Sequence, residues 1–221
     1  MTDRLINLTF HGLGAPGPGV VRDEVPYWVS AEMFERTLDA VRGRGDVAIS
    51  FDDGNESDVR IALPALAARG MTASFFVVAD RIDAPAYLGT GAIRELAAAG
   101  MPIGSHGFSH RAWRGLAADD LRREIFEARD RIAAASQRPV TGAACPFGSY
   151  DRRALAQLRE AGFELVLTSD RWFAARGAWL QPRFTIVRDD TPASLAALLA
   201  SRPGVVDAAM ATARLAVKRW R

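Results

Sequence analysis

The chain has 221 residues, of which 49% are hydrophobic and 24% are charged, and its formal net charge at pH 7 is +2. This composition is that of a folded globular protein, and it excludes intrinsically disordered, collagen-like and low-complexity architectures. So small a charge excess also excludes a strongly basic surface for nucleic acid, and we expect no nucleic-acid partner.

The single cysteine, Cys145, excludes an internal disulfide and a cysteine-cluster metal site, which suits a reducing compartment. The first residues, MTDRLINLTF, lack the apolar core and the cleavage site of a secretory signal. The sequence also has no apolar run of about 18 residues that would predict a transmembrane segment. We therefore expect a cytoplasmic protein.

Short apolar runs of the β type alternate with helical patterns along the whole chain. Seven strands are predicted, at residues 5–10, 47–51, 72–78, 101–104, 140–144, 165–168 and 184–187. One helix is predicted between Ser30 and Gly43, one near 119–135, and one between Asp151 and Gly162. Because parallel neighbours need crossover connections, this alternation predicts a parallel sheet with helices outside, either doubly wound or closed into a barrel.

Two connections, residues 12–29 and 79–89, contain glycine and proline and are longer than typical loops. Long loops beside parallel strands often carry binding residues, so both segments are candidate rims of a functional site. The sequence shows no internal repeat and no linker, which predicts one domain spanning residues 1–221.

Two adjacent carboxylates, Asp52 and Asp53, directly follow the predicted strand 47–51 and precede Gly54. The carboxyl ends of parallel strands form the functional face of such folds, so one acid there can bind a cation while the other handles a proton. The alternative is a turn that caps a helix, since Asp-Gly is ordinary turn chemistry.

His106 and His110 are two of the three histidines in the protein, and they lie four residues apart just after the predicted strand 101–104. On one helical turn both imidazoles can converge on one ion. With Asp53 they would form a three-ligand site that leaves positions for water, which is the pattern of catalytic zinc. For either histidine alone, a capping or solvated imidazole is the alternative.

A third motif, Pro146-Phe147-Gly148, lies between the predicted strand 140–144 and the helix that begins after Asp151. Proline fixes such a turn and glycine permits close backbone approach. A backbone N–H here, most simply that of Phe147, can therefore face a reacting oxygen. An ordinary turn between strand and helix is the alternative.

These motifs, in this order, closely resemble those of the polysaccharide deacetylase family, which is carbohydrate esterase family four with its NodB homology domain. The matching residues are Phe51-Asp52-Asp53-Gly54, Ser105-His106-x-x-Ser109-His110 and Pro146-Phe147-Gly148. The resemblance covers about residues 5–190 and implies a distorted (β/α) barrel that removes acetyl groups from N-acetylated sugars with zinc or a similar divalent ion. It also implies Asp53, His106 and His110 as metal ligands, Asp52 as the general base and the Phe147 N–H as an oxyanion donor.

The chain departs from the family pattern at two places. The family usually has an arginine where this chain has Ala144, and no late histidine follows His110. His11, at the end of the first predicted strand, can supply the missing acid, as in some branches of the family, and Arg183 can supply the missing arginine. Strand one and the last strand are neighbours once a barrel closes, so this exchange preserves positions in space. The alternatives are a capping imidazole and a surface ion pair.

The resemblance also places Asp170 where the family has an acid that supports the active-site arginine. Tyr27, Trp172 and Trp179 are candidates for stacking on sugar faces, although aromatic residues near loops are often packing residues. A nucleophilic role for Cys145 is disfavoured, because both nearby histidines have a better use as ligands. The amphipathic C-terminal segment 205–221 has a basic end, and packing on the barrel is favoured over peripheral contact with a membrane.

The predicted protein is therefore a carbohydrate deacetylase that cleaves a C–N bond of an N-acetylated carbohydrate with a divalent metal, most simply Zn²⁺. One alternative is a metal-dependent amidase on a small non-sugar amide, since related branches of the family act on such substrates. The other is an inactive carbohydrate-binding relative, which Ala144 and the missing late histidine suggest. The intact set of one aspartate and two histidines argues against an inactive relative.

Overall fold

The computed structural model describes residues 4–18 and 20–220, and within these ranges nine strands form one sheet. The strands are β1 (Arg4–Phe10), β2 (Val47–Phe51), β3 (Ser74–Val77), β4 (Ile103–Ser105), β5 (Gly142–Ala144), β6 (Leu165–Thr168), β7 (Ala174–Ala175), β8 (Leu180–Pro182) and β9 (Phe184–Thr185). Pairing follows the order β7-β1-β2-β3-β4-β5-β6-β8, with β9 beside β1. The pairing is parallel except between β1 and β7.

The last strands close the sheet almost completely. β8 pairs with β6, and immediately afterwards β9 pairs with β1, so residues 180–185 join the two edges of the sheet. Arg183 lies between the two pairings and is fully buried. The predicted barrel is confirmed, and the doubly wound alternative is not adopted.

The predicted number of seven strands is too low, because the sequence pattern missed β7 and β8. These strands have two and three residues, so they show no alternation that could be recognised from sequence. Their pairing is decided by the neighbouring edges of β1 and β6. The last predicted strand, 184–187, ends at Thr185.

Eight α-helices accompany the sheet within the described ranges. They are α1 (Ala31–Val41), α2 (Leu63–Ala67), α3 (Thr90–Ala98), α4 (Ala118–Arg122), α5 (Ala128–Ser136), α6 (Arg152–Glu160), α7 (Pro192–Ala200) and α8 (Val205–Trp220). A π-helical turn, Arg123–Glu127, joins α4 to α5, so the helix predicted near 119–135 is one helical run with a π turn inside it. Ser30 and Asp151 cap α1 and α6 as predicted, because each side chain accepts a hydrogen bond from an N–H of the first turn.

Stacked phenylalanines fix the register of the first three strands. The ring centroids of Phe10 and Phe51 are 5.6 Å apart, those of Phe51 and Phe75 are 4.8 Å apart, and all three side chains are buried. Burying one such side chain contributes roughly 1.5–3 kcal/mol. Because Phe10 and Phe51 are partners in the β1–β2 pairing, the residues that follow them, His11 and Asp52, emerge side by side at the carboxyl ends of the strands.

Helix α8 lies against α6 and reaches the third motif. The Lys218 ammonium donates hydrogen bonds to the Gly148 carbonyl at 2.7 Å and to Asp170 Oδ1 at 2.5 Å. The C-terminal helix therefore packs on the barrel, as favoured from its sequence. Within the described part of the chain, no helix combines the length and hydrophobicity needed to cross a lipid bilayer.

Candidate active site

A cavity of about 660 Å³ opens at the carboxyl ends of the strands. All three sequence motifs and both predicted rim segments contribute to its wall. The lining residues are His11, Val21, Asp23, Glu24, Tyr27, Asp52, Asp53, Arg81, His106, His110, Phe147, Ser169, Arg171, Thr185 and Val187.

Asp53, His106 and His110 each bring one possible ligand atom to within 4.8 Å of the others. Asp53 Oδ1 lies 3.7 Å from His106 Nε2 and 3.3 Å from His110 Nε2. His106 Nδ1 lies 2.9 Å from the Ala144 carbonyl oxygen, so Nδ1 carries the proton and the lone pair of Nε2 faces the other two side chains. Asp53 Oδ1 is buried and has no hydrogen-bond partner in the described part of the chain. One carboxylate and two imidazoles in this arrangement fit a divalent ion.

The backbone at two of these residues is in the left-handed region that residues other than glycine rarely adopt. Asp53 has a φ of 76° and His110 a φ of 55°. Such conformations cost about 1–3 kcal/mol each and persist only where the surroundings impose them. The glycine after Asp53 is also required, because Gly54 has a φ of 68° and a Cβ there would lie 3.2 Å from Val77. The surrounding structure thus holds both residues in these conformations, in which the Asp53 and His110 side chains approach to 3.3 Å.

Asp52 forms a buried, two-pronged ion pair with Arg183. The Nη1 and Nη2 atoms of Arg183 donate to Oδ1 and Oδ2 of Asp52 at 2.7 and 2.6 Å. Arg183 Nη1 also donates to the Thr9 and Ser50 hydroxyls, both at 3.0 Å. The side chains of Arg183 and Asp52 are 0% and 2% exposed, which excludes the surface ion pair considered for Arg183. Arg183, which was expected to replace the arginine missing at Ala144, is thus the partner of Asp52.

The two adjacent acids differ in pKa because their surroundings differ. Burial favours the protonated form of Asp52, but Arg183 and His106 outweigh it and hold the pKa of Asp52 well below its usual value of 3.8. Burial, reinforced by Glu24, raises the pKa of Asp53 to about 8. Asp52 therefore has its own fixed counter-charge, whereas the cation facing Asp53 is Arg81, with its Nη1 atom 3.6 Å from Oδ1. This contrast supports Asp53, rather than Asp52, as the acid that takes a metal ion.

His11 lies beside Asp52 on the cavity wall, with its ring centroid 5.0 Å from that of Tyr27. Its Nδ1 atom is buried and has no hydrogen-bond partner among the described residues, so that atom does not cap a carbonyl. Burial lowers the pKa of His11 to about 4, and the imidazole is therefore neutral at pH 7.

The third motif forms a 3₁₀ turn, Pro146–Gly148, in which Phe147 has a φ of 56°. Gly148 packs so closely on the next loop that a Cβ there would lie 2.8 Å from the Ser169 nitrogen. The Phe147 ring is 69% exposed, and its centroid lies 4.6 Å from that of His110. The turn therefore holds the Phe147 backbone at the cavity wall, next to a candidate metal ligand.

Of the three aromatic residues predicted to stack on a sugar, the structure places one at this cavity. Tyr27 lines the cavity. Trp172 lines a different cavity, and the Trp179 indole N–H donates to the Phe163 carbonyl at 2.7 Å, so the structure does not bring either tryptophan to the ligand set. Cys145 is buried, and burial raises the pKa of its thiol to about 12, in agreement with its dismissal as a nucleophile.

The expectation for Asp170 is wrong. Its Oδ2 accepts hydrogen bonds from the Thr168 hydroxyl at 2.7 Å and the Tyr150 hydroxyl at 3.2 Å, while Oδ1 pairs with Lys218. Arg183 lies between β8 and β9 and pairs with Asp52, and Asp170 takes Lys218 as its partner instead.

Two charged residues that contact the candidate ligands, Glu24 and Arg81, were missed by the sequence reasoning. Arg81 donates from Nη2 to Glu24 Oε1 at 2.7 Å, and both side chains lie next to the ligand set. The available signal was their place in the predicted rim segments 12–29 and 79–89. Those segments were predicted to border a functional site, but nothing in the sequence indicated that Glu24 and Arg81 would pair with each other.

Comparisons with known proteins identify relatives of this chain. A family model described as polysaccharide deacetylase matches residues 40–166 of the chain. YxkH of Bacillus subtilis (strain 168), a candidate polysaccharide deacetylase, is 26% identical over 130 residues, which are 59% of this chain and 47% of YxkH. The match thus spans less than half the length of that relative.

Two solved structures illustrate the shared fold. The deacetylase PplD of Streptococcus pyogenes, in complex with acetate, superposes with a TM-score of 0.77 at 19% identity, over 90% of this chain and 99% of PplD. IcaB from Ammonifex degensii superposes with a TM-score of 0.73 at 21% identity, over 90% of this chain and 98% of IcaB.

Proposed function

Because this chain belongs to the polysaccharide deacetylase family, we propose that it uses a divalent metal ion, most simply Zn²⁺, to remove the acetyl group from an N-acetylated sugar. The observation that carries the proposal is the meeting of Asp53, His106 and His110 in one cavity with a buried, ionised Asp52. Family membership supports the deacetylase reaction, and the side-chain arrangement supports the metal.

The donor set suits this ion, because zinc prefers imidazole and carboxylate ligands and keeps open positions at catalytic sites. A divalent ion bound there supplies a Lewis acid for the acetyl carbonyl and lowers the pKa of water from about 15.7 to about 7. His106 is oriented for ligation through its hydrogen bond to the Ala144 carbonyl.

The remaining steps belong to side chains and backbone of this chain. Asp52, oriented by Arg183, accepts the proton of the attacking water, and the Phe147 N–H donates to the oxyanion that forms at the acetyl carbon. His11 delivers a proton to the departing nitrogen. Because burial keeps His11 neutral at pH 7, it must acquire that proton during the reaction, and the source is Asp52, which passes on the proton that it takes from the water. The products are acetate and a free amino sugar.

Two further observations support an acetylated sugar as the substrate. The cavity, at about 660 Å³, has the size of sites that enclose small organic ligands, and the Tyr27 ring beside His11 offers an aromatic face. A protein of the same fold, PplD, is known in complex with acetate, which is a product of the proposed reaction.

Metal content and acetate release, measured on the same purified sample, test the proposal. We expect about one divalent ion per chain, acetate release from oligomers of N-acetylglucosamine, loss of activity after chelation and its return with added Zn²⁺. Hydrolysis of a ring amide without acetate release from the sugar would favour the amidase alternative. A protein that binds the sugar but holds no ion and releases no acetate would be the inactive relative.

A further inference from the structure

Glu24 and Arg81, which belong to no motif, contact two of the three residues assigned to the metal. Arg81 Nη1 lies 3.6 Å from Asp53 Oδ1, and Arg81 Nη2 lies 3.4 Å from His110 Nδ1. The same Nη2 donates to Glu24 Oε1 at 2.7 Å, and that oxygen lies 3.8 Å from His110 Nδ1. Both side chains are largely buried, at 16% exposure for Arg81 and 13% for Glu24.

The hydrogen bonding of this group is incomplete. Glu24 Oε2, Arg81 Nη1 and Asp53 Oδ1 are all buried and have no hydrogen-bond partner in the described part of the chain. Buried polar atoms are normally satisfied, so the unpartnered Asp53 Oδ1 and Arg81 Nη1, 3.6 Å apart, indicate that the group is completed by a further polar or charged occupant. A metal ion at Asp53 would satisfy Asp53 Oδ1, whereas the N–H of Arg81 Nη1 needs an acceptor such as water.

The charges of the pair act on such an ion in opposite directions. Arg81 supplies positive charge to Asp53 when no ion is present, and it repels a divalent cation held by the same carboxylate. Glu24 neutralises Arg81 and, with the Tyr87 ring 4.6 Å from the guanidinium, fixes where that charge lies. Because the surroundings are largely buried, neither charge is strongly screened by solvent.

We propose that the Glu24–Arg81 pair sets the metal affinity of the site, with Arg81 competing against the ion for Asp53 and Glu24 restraining and neutralising Arg81. The inference rests on the proposed metal site. Both residues are positioning residues, since neither is assigned to the reacting atoms. Arg81 supplies the positive charge that faces Asp53 in the absence of an ion. Glu24, by neutralising Arg81, favours the binding of a divalent cation at Asp53.

The Zn²⁺ dissociation constant, measured by competition with a chelator at fixed pH and ionic strength, tests this inference without any turnover. We expect Arg81→Gln to bind Zn²⁺ more tightly and Glu24→Gln to bind it more weakly, each by about 10- to 100-fold, the usual effect of residues that contact ligands. The double variant should return close to wild type, because it removes one charge of each sign. Arg81→Lys should also stay close to wild type, since it keeps the charge.

Asp23→Asn is the matched control, because Asp23 lines the same cavity and loses the same charge without touching Arg81 in the described contacts. Its dissociation constant should change by much less than that of Glu24→Gln. Thermal unfolding of the metal-free proteins identifies any variant that fails to fold, and the pair of Glu24→Gln and Arg81→Lys then still tests the charge argument.

Shifts of Arg81→Gln and Glu24→Gln in the same direction, or no shift in either, would overturn the inference while leaving the proposed function intact. A wild-type protein that binds no Zn²⁺ would instead overturn the proposed function, and the inference with it. Metal binding by wild type with opposite shifts in the two variants supports both.

Discussion

Two sides of the cavity are assembled from different distances along the chain. The metal side is the set proposed to hold the ion (Asp53, His106 and His110), and the acid–base side is the set proposed to handle protons with its ion-pair partner (His11, Asp52 and Arg183). Asp53 and His106 lie within two residues of the end of a strand, and His110 lies four residues after His106. On the acid–base side, Arg183 reaches Asp52 across 131 positions of sequence, from the gap between β8 and β9.

The two sides are therefore expected to tolerate amino-acid substitutions differently. The metal side depends on local turns, so a substitution there removes a ligand and leaves the sheet pairing intact. The acid–base side depends on the closure of the barrel, because the Asp52–Arg183 ion pair joins β2 to the strands that close it. Breaking a buried pair by removing one partner typically costs about 3–5 kcal/mol, so changes there affect stability and chemistry together.

The largest effect is expected on the metal side. His106→Ala and His110→Ala should each abolish metal binding and activity together, because two remaining ligands hold an ion poorly. Metal content by mass spectrometry and acetate release on the same samples check this, with thermal unfolding as the control for fold. Full metal content in either variant would remove that histidine from the ligand set.

Asp52→Asn should keep the metal ion and slow the reaction by roughly 10²–10⁴, the usual contribution of a positioned general base. The measurement is the turnover number at saturating sugar together with metal content. If the variant loses the ion, the two adjacent acids share the metal or exchange roles.

The same variant leaves the Arg183 guanidinium buried without its carboxylate, so its free energy of unfolding must be measured as well. Arg183→Met and the double variant complete a cycle in denaturant unfolding. We expect both single variants to be less stable than the double variant, because only the single variants bury an unpaired charge. Arg36→Met breaks an exposed pair with Glu32 and should be close to wild type.

His11→Ala should keep the metal and slow amide cleavage, with a smaller loss for an activated ester whose leaving group needs no proton. The ratio of ester to amide turnover is the measurement, since an overall structural defect would lower both rates alike. Equal losses, or none, would assign leaving-group protonation to another group, such as Asp52 acting in both directions.

The smallest effect is expected at Lys218, which lies outside both sides and acts through the backbone of the third motif. Its side chain is 32% exposed, and partly exposed ion pairs are worth about 0–1 kcal/mol, so Lys218→Met should lower the turnover number by less than about tenfold. The expected loss is in turnover, with metal content and KM unchanged. Arg219→Met, on the neighbouring exposed position of α8, is the control. A loss of metal would contradict this assignment.

Local patterns determined much of this protein from sequence alone. The seven predicted strands all exist, and Ser30 and Asp151 cap their helices, because apolar periodicity and capping depend on residues close in sequence. The metal side was predictable for the same reason. Its ligands follow strand ends, where parallel strands direct their next residues to a common face.

Only the tertiary structure decided the long-range partners. Lys218 is the only lysine, so 27 of the 28 cationic side chains are arginine, and no local pattern distinguishes Arg183 among them. Barrel closure selects it, by placing the residue between two short pairings against Asp52. The same reason explains the missed pair of Glu24 with Arg81 and the lysine partner of Asp170. Each contact joins loops whose approach depends on the packing of the whole sheet, and the sequence near either residue carries no record of that approach.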